Sequence, residues 1–542
     1  MEKTPNMTDY EKEYREFSFP VPERFSFPLD VFDKWAASIP NEAALFWTDG
    51  NAEKKFSFNE LKLLSSKGAP AFKKSGIKKG DKVLVMLPNI PEWWEVMLSL
   101  MRLNAIPIPA TTILTAKDIE YRLSAADIKA VIATEEDAPK VEEAVNNSSA
   151  KPFLISVGKR EGVLDYIAAR DNADAFEGER AFADEPALIY FTSGTTGPPK
   201  MVLHTHASYP LAHMVTGKYW LDLRPGDIHW NLSDTGWAKA AWSSLFGPWH
   251  MGATIFSFHK KGKFEPSAIM DVLQKYPVTT LCGPPTAYRM MVKEIPAGRL
   301  HFKAVRHFVA AGEPLNREII EIWKERTGLY IYDGYGQTET VNILANFRCL
   351  SVKPGSMGRP VPGFIVDVID EDGNILPPNT EGDIAIKVKP ERPIGLFKEY
   401  MGNPHATEKT MRGQRYITGD RAYKDEDGCF WFVGRADDVI LTSGYRIGPF
   451  EIESVLIKHP AVKESAVVAS PDEVRGEVVK AFIVLTQAYS PSAALIKELQ
   501  EFVKKNTAPY KYPRKVEFVE DLPKTISGKI KRKELKMKEF GI

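Results

Sequence analysis

Residues 191–206, FTSGTTGPPKMVLHTH, follow an apolar run and bring hydroxyls, two glycines and a lone lysine into one loop. Glycine frees backbone N–H groups, and with the hydroxyls of Thr192, Ser193, Thr195 and Thr196 and the ammonium of Lys200 they can cradle phosphate oxygens. The pattern is not G-x-x-x-x-G-K-[ST]. Gly194, Gly197 and Lys200 read G-x-x-G-x-x-K, and Met201 stands where a metal-binding hydroxyl would be needed. Any metal ligand must come from elsewhere, and by itself the stretch is equally compatible with a flexible surface loop. Other stretches share its polar, glycine-rich character: AAGEPL (310–315), YDGYGQTET (332–340), YITGD (416–420), GRADDVILTSGYR (434–446) and LPKTISGKIKR (522–532).

The elements that must position these stretches alternate. Apolar runs near 82–89, 129–134, 187–194, 278–285 and 307–314 are separated by segments such as PEWWEVMLSLMRLNA, whose apolar residues recur at three and four. Such alternation predicts an α/β fold with parallel sheets covered by helices, and ligands gather at the strand ends. After about residue 355 alternating strands with an Asp-Gly turn predict a small antiparallel subdomain. Past residue 436, Pro449 is placed to open a helix, and two strand-like runs, a helix near 491–505, a further strand and a basic tail follow. That is enough for a separate α+β domain, so the chain divides into 1–436 and 437–542.

Composition narrows the partners. Lys+Arg 71 balances Asp+Glu 71, which gives no electrostatic footprint for nucleic acid or an anionic membrane. Three cysteines without C-x-x-C spacing suggest neither a disulfide framework nor zinc. The acidic, polar N-terminus is unlike a signal peptide, and no long apolar run predicts a membrane span, so the expected location is the cytoplasm.

In order and spacing these stretches resemble the adenylate-forming superfamily of acyl-CoA synthetases, peptide-synthetase adenylation domains and luciferases, over nearly the whole chain. The resemblance implies that a carboxylate attacks the α-phosphate of ATP to give an acyl-adenylate, which the thiol of CoA then attacks. Two anionic reactants must be held together, which calls for aimed donors, Mg²⁺ and exclusion of water. By resemblance, residues 192–200 form the loop over the phosphates, Thr338 meets the α-phosphate and Glu339 holds Mg²⁺. Asp420 takes the ribose hydroxyls, Arg435 touches the same nucleotide, and Gly312, Glu313 and Pro314 with Asp333, Gly334 and Tyr335 enclose adenine, although Tyr335 could equally be a core residue. Lys529 matches the lysine that bridges carboxylate and phosphate during adenylation, whereas Lys531, Arg532 and Lys533 read as surface charge. The small domain is expected to swing about Asp437 and present Ser443, Gly444 and Tyr445 to pantetheine, with Arg446 near phosphate and Arg475 near the CoA nucleotide.

The segment NLSDTGWAKAAWSSLFGPW places Trp237 between acyl and thiol sites by the same resemblance, with Trp242 and Trp249 as core. Acetyl-CoA synthetases wall the acyl pocket with tryptophan in D-T-W-W-Q-T-E, where this chain has DGYGQTE and Gly336 at that wall. The implied acid is larger than acetate, whether medium-chain, branched or aromatic, and the whole is most similar to the medium-chain acyl-CoA synthetases. A stand-alone domain loading a carrier protein, or a non-catalytic nucleotide-binding protein, remains open on sequence alone.

Overall fold

The computed structural model describes residues 4–192, 198–260, 262, 264–295, 300–442, 445–472, 475–525 and 529–541. The expected α/β architecture is present. Strands Ile106–Pro109, Lys82–Met86, Ala130–Thr134, Phe153–Val157 and Leu164–Asp165 form an all-parallel sheet in that order. A nine-stranded sheet is parallel through its centre, from Ile331–Gly336 across His307–Ala310, Thr280–Gly283, Ile228–Asn231 and Thr254–Phe258 to Ala43–Thr48, with antiparallel strands at both edges.

Helix Pro91–Arg102 shows why such a fold is stable. Pro91 opens it at a position where a missing N–H costs nothing, and Trp93, Trp94, Val96, Met97, Leu98 and Leu100 are all buried. Each large apolar side chain removed from water contributes about 1.5–3 kcal/mol. The helix ends on buried Arg102, whose guanidinium is satisfied by both carboxylate oxygens of Asp33 at 2.7 and 3.0 Å.

The run near 187–194 departs from the parallel pattern. Strand Pro186–Phe191 pairs antiparallel with Met201–Thr205, so the Lys200 loop is the turn of a hairpin, and Glu399–Tyr400 adds to its second strand. Apolar composition marks a buried strand but not its direction. The small antiparallel unit is built from Val366–Ile369, Gly382–Lys387, Arg415–Lys424, Met411–Arg412 and Phe430–Arg435, and Gly373 of the Asp-Gly turn has φ +89°.

Beyond the short turn Ala436–Asp438 lies another sheet, with Ile440–Thr442, Tyr445–Ile447, Val462–Asp472, Gly476–Leu485 and Lys515–Phe518. Side chains alternate across it: Val467 and Ala469 meet Ile452, Leu456, Leu495 and Leu499, while Ala466 and Val468 meet Leu522 and Leu535. Both faces are covered because the basic tail is the helix Arg532–Phe540, contributing Leu535. Arg532 is accordingly no loose surface charge. It forms a fork with Glu453 at 2.9 and 2.6 Å, a pairing that sequence spacing across 79 residues does not announce.

Candidate active site

Strand ends of the nine-stranded sheet, the hairpin and the antiparallel unit meet at one cleft of about 2420 Å³, closed on its far side by residues of the last hundred positions. Single small-molecule sites are commonly about 300–1,000 Å³, so the cleft has room for more than one reactant. Its lining includes Thr192, Lys200, Gly312, Glu313, Pro314, Asp333, Gly334, Tyr335, Gly336, Thr338, Glu339, Asp420, Arg435, Asp437 and Lys529. Most of the residues singled out from sequence are thus brought together.

Strand Ile331–Gly336 delivers the central group. It ends in a turn closed by Gln337 N–H to Thr340 Oγ1 at 2.9 Å and Thr340 N–H to the Gln337 carbonyl at 3.2 Å, which leaves Thr338 and Glu339 at the tip. The tip is clamped from two directions. His204 donates Nε2–H to the Thr338 carbonyl at 2.7 Å, and the Tyr400 hydroxyl donates to Glu339 Oε1 at 2.6 Å. Because a carbonyl only accepts, His204 carries its proton on Nε2 and Nδ1 accepts from Ser208 at 3.1 Å. Burial pushes the imidazole down to about 4, so it stays neutral.

Asp420 is 4% exposed and already engaged: Oδ2 accepts from Tyr335 at 2.5 Å and Gln337 at 2.8 Å, and Arg435 stands 3.2 Å from Oδ1. Burial raises its carboxyl above the ordinary value, against the opposing pull of Arg435. Tyr335 therefore does more than pack, since its hydroxyl sets the orientation of Asp420. Asp333 differs. Its Oδ1 is buried without a hydrogen-bond partner, and burial holds its carboxyl well above the usual carboxylate range. An orphaned acceptor of this kind costs about 1–3 kcal/mol unless a ligand donor meets it.

Lys200 extends from the hairpin with Nζ 4.6 Å from the centroid of the Tyr400 ring, while Thr192 N–H bonds the Lys200 carbonyl at 2.9 Å across the loop's base. Ser193, Gly194, Thr195, Thr196 and Gly197 lie outside the described residues. Lys529 comes from the opposite side, its N–H bonded to Thr525 Oγ1 at 3.1 Å, and its charge acts on both Glu313 and Asp420.

The Glu313 side chain is engaged within the protein: it accepts from Thr286 at 2.8 Å and Arg289 at 2.6 Å, and although burial opposes its charge, Arg289 keeps the carboxyl below its ordinary value. Gly312, with φ +102°, shapes the backbone of that segment, and Pro314 lines the cleft beside it. Gly336 lines the cleft, but a Cβ there would stand 2.5 Å from the Val341 carbonyl oxygen and 2.9 Å from Asn342 Cα. The missing side chain at Gly336 therefore leaves no free space, because the neighbouring backbone occupies it. Trp237 caps the short helix Ala238–Ala241, half-buried, and is not among the residues lining the cleft. Trp249 is core as expected, donating to the Ala44 carbonyl at 3.1 Å.

Of the positions assigned to CoA, Ser443 and Gly444 are outside the described residues, as are the side chains of Tyr445 and Arg446; Arg475 is exposed and away from the cleft lining. Asp437 is exposed in the turn Ala436–Asp438. Sequence reasoning missed His204, Tyr400, Tyr416, Gln337 and Lys239. Tyr416 donates to Gln337 Oε1 at 3.1 Å, and buried Lys239 donates to the Ala311 carbonyl at 2.8 Å, its ammonium pushed down by desolvation. All but Tyr400 lie within stretches already singled out in the sequence, but what they bond to is set across the fold and leaves no spacing signal.

Glu339 is a lone carboxylate at the tip, and no group of three or more His, Cys, Asp or Glu able to hold a metal occurs among the described residues. That donor set fits Mg²⁺, which takes one or two protein carboxylates and completes its shell with phosphate oxygens and water. No helix among the described residues is long and apolar enough to cross a membrane.

The chain matches the AMP-binding enzyme family over residues 32–401 and the AMP-binding enzyme C-terminal domain over 451–529. It is 51% identical to the mitochondrial acyl-coenzyme A synthetase ACSM3 of Mus musculus, covering 99% of this chain and 94% of that one, and 49% identical to the mitochondrial ACSM4 of Homo sapiens, covering 96% and 92%. The anthranilate CoA ligase AuaEII in complex with anthranoyl-AMP superposes with TM-score 0.87 at 28% identity, covering 96% and 98%. A benzoate CoA ligase from Burkholderia xenovorans LB400 gives 0.83 at 29%, covering 94% and 100%. The mitochondrial relatives overturn the cytoplasmic assignment. Few cysteines without paired spacing speak for a reducing compartment but not for which one.

Proposed function

The chain belongs to the AMP-binding enzyme family, and from that premise we propose a role for each side of its cleft. It is an AMP-forming acid–thiol ligase, an acyl-CoA synthetase that uses ATP, Mg²⁺, a carboxylic acid and CoA. The observation that carries the site reading is the convergence of Lys200, Thr338, Glu339, Asp420 and Lys529 on one cleft from separate parts of the chain.

In this reading Asp420, an acceptor with two oxygens, takes the ribose hydroxyls, and the orphaned Asp333 Oδ1 receives the exocyclic amine of adenine. Thr338 and Lys200 address the phosphates, and Lys529 bridges the acid's carboxylate to them, offsetting the repulsion between two anions as the C–O–P linkage forms, the α–β phosphoanhydride bond breaks and pyrophosphate leaves. Bound at Glu339, Mg²⁺ would neutralise charge developing on the phosphates. Gln337 and Tyr335 keep Asp420 oriented before ATP enters, so little reorganisation accompanies binding.

The chain divides at Asp437, and rotation there takes Lys529 away and brings residues 443–446 to the adenylate for thiol attack. Residues 436–439, lying between strands, absorb the change. The acid is larger than acetate, and the anthranilate and benzoate ligases offer precedent for bulky acids in this architecture; Gly336 carries no part of that reading, because the backbone of Val341 and Asn342 fills the place of its side chain. Exchange of labelled pyrophosphate into ATP across acids from acetate to octanoate, with benzoate and branched acids alongside, tests it. Each buried methylene should add roughly 1–3 kcal/mol to discrimination. A maximum at acetate would refute the pocket, and exchange without thioester formation on free CoA would point to a carrier-protein acceptor.

A further inference from the structure

Resting on the assignment of Glu339 to the metal, we propose that Tyr400 is a positioning residue for it, fixing the carboxylate through its hydroxyl and storing Lys200 on its ring until a triphosphate arrives. Tyr400 is 6% exposed and lies in a strand paired with the one that follows the Lys200 loop, Val202 opposite Tyr400. Its own N–H is pinned to Thr407 Oγ1 at 2.9 Å, and Phe397 N–H holds the Glu339 carbonyl at 2.7 Å. Between these fixed points the hydroxyl meets Glu339 Oε1 at 2.6 Å and the ring faces Lys200 Nζ at 4.6 Å.

One rigid side chain thus spans an anion meant for a cation and a cation meant for an anion. With Oε1 accepting from a phenol, Oε2 is the oxygen left for the metal, and a phenol donor does not compete for that ion. The ring's hold on Lys200 is weak enough to be exchanged for phosphate oxygens. Without it, Lys200 would be drawn to Glu339 itself and close the metal position.

The test is Mn²⁺ binding followed by electron paramagnetic resonance on the full chain with α,β-methylene-ATP. Tyr400→Phe keeps the ring and loses the donor, and should weaken Mn²⁺ binding by about 10–100-fold, the usual cost of removing a group that orients a metal ligand. The Mg²⁺ concentration giving half-maximal pyrophosphate exchange should rise by the same factor. Glu339→Asp withdraws the carboxylate from the phenol and reads the contact from the other side, so the double variant should be no worse than the weaker single one. Mn²⁺ binding by Tyr400→Phe at wild-type strength, or full additivity in the double variant, overturns the proposal. Glu339→Gln separates the two readings: if it too binds Mn²⁺ as wild type does, the Glu339 assignment falls, and if it alone is weakened, only Tyr400 does.

Discussion

The nucleotide wall and the lysine arm face each other across one cleft and are built on opposite plans. On the wall, Asp420, Tyr335, Gln337 and Tyr416 form a continuous chain of hydrogen bonds, with Asp420 4% exposed, and His204 and Tyr400 brace the adjoining turn. On the arm, Lys529 is exposed, and the unit that carries it meets the body through separate contacts, among them Asn316 to Ser454 at 2.8 Å, Glu318 to Lys458 and the rings of Phe432 and Phe450 5.9 Å apart. Buried, mutually satisfied networks resist rearrangement, whereas exposed pairs are worth about 0–1 kcal/mol each. The wall is built into the core as one bonded network, whereas the arm, which in the proposed cycle leaves, is joined by contacts that do not form such a network.

Acid should break the comparison most severely. His204, His206, His229, His250 and His307 are held by burial at about 3 to 4, and His213 well below the ordinary value, all within the body. Below pH 6.5 the unfolded chain takes up protons that the fold refuses, so stability falls as pH drops towards 4, by up to about 1.4 kcal/mol per pH unit for each histidine. The acids Glu95, Asp234, Asp333 and Asp420, whose carboxyls burial raises, work in the opposite sense because the fold keeps their protons, but they are four against six histidines. All 11 tryptophans precede residue 437, so their fluorescence reports the body alone. Its urea midpoint should be lower at pH 5 than at pH 7, and an unchanged midpoint would contradict the assigned burial.

Lys529→Ala should slow adenylate formation by about 10²- to 10³-fold, the effect of losing one charge contact made in the transition state. Attack of CoA on supplied acyl-AMP should be largely spared. Equal loss in both half-reactions would put the arm and the wall in the same category.

Asp420→Ala sharpens the contrast from the other side. Removing hydrogen bonds to a charged acceptor should raise the KM for ATP by roughly 10- to 100-fold. Because the adenylate uses the same wall, its retention during the thiol step should suffer too. A defect confined to the first half-reaction would mean that the wall is remade between steps.

What the sequence revealed follows the same division. Thr338, Glu339, Asp420 and Lys529 were legible because they lie within short contiguous stretches of unusual composition. Tyr400 lies in no such stretch, and His204, although inside residues 191–206, was not legible in its role, since a side chain acting through a fold contact 61 or 134 residues away leaves no local pattern. Gly336 was read as an empty place, yet its bareness is imposed by the strand beside it, and only backbone coordinates distinguish the two. The parallel core followed from alternation of apolar runs and helices, while the hairpin bearing Lys200 did not, because strand direction is set by connection rather than composition.

The smallest effect is expected at the docking surface. Lys458→Glu repels Glu318 and should shift the balance between half-reactions by no more than about five-fold, slowing adenylation. Adding Glu318→Lys should restore it, and failure of the swapped pair to do so would show that the two residues do not meet in the adenylating enzyme.

The shortness of the link at residues 436–439 carries a kinetic consequence. In the proposed rotation a lysine carried out of the cleft on so short a tether does not become dilute: its local concentration near the adenylate stays at about the millimolar level. Return is then a first-order event, indifferent to how much enzyme the compartment contains. Each turnover resets without an encounter in solution, and the ATP and acid that enter next meet an arm that never left their neighbourhood.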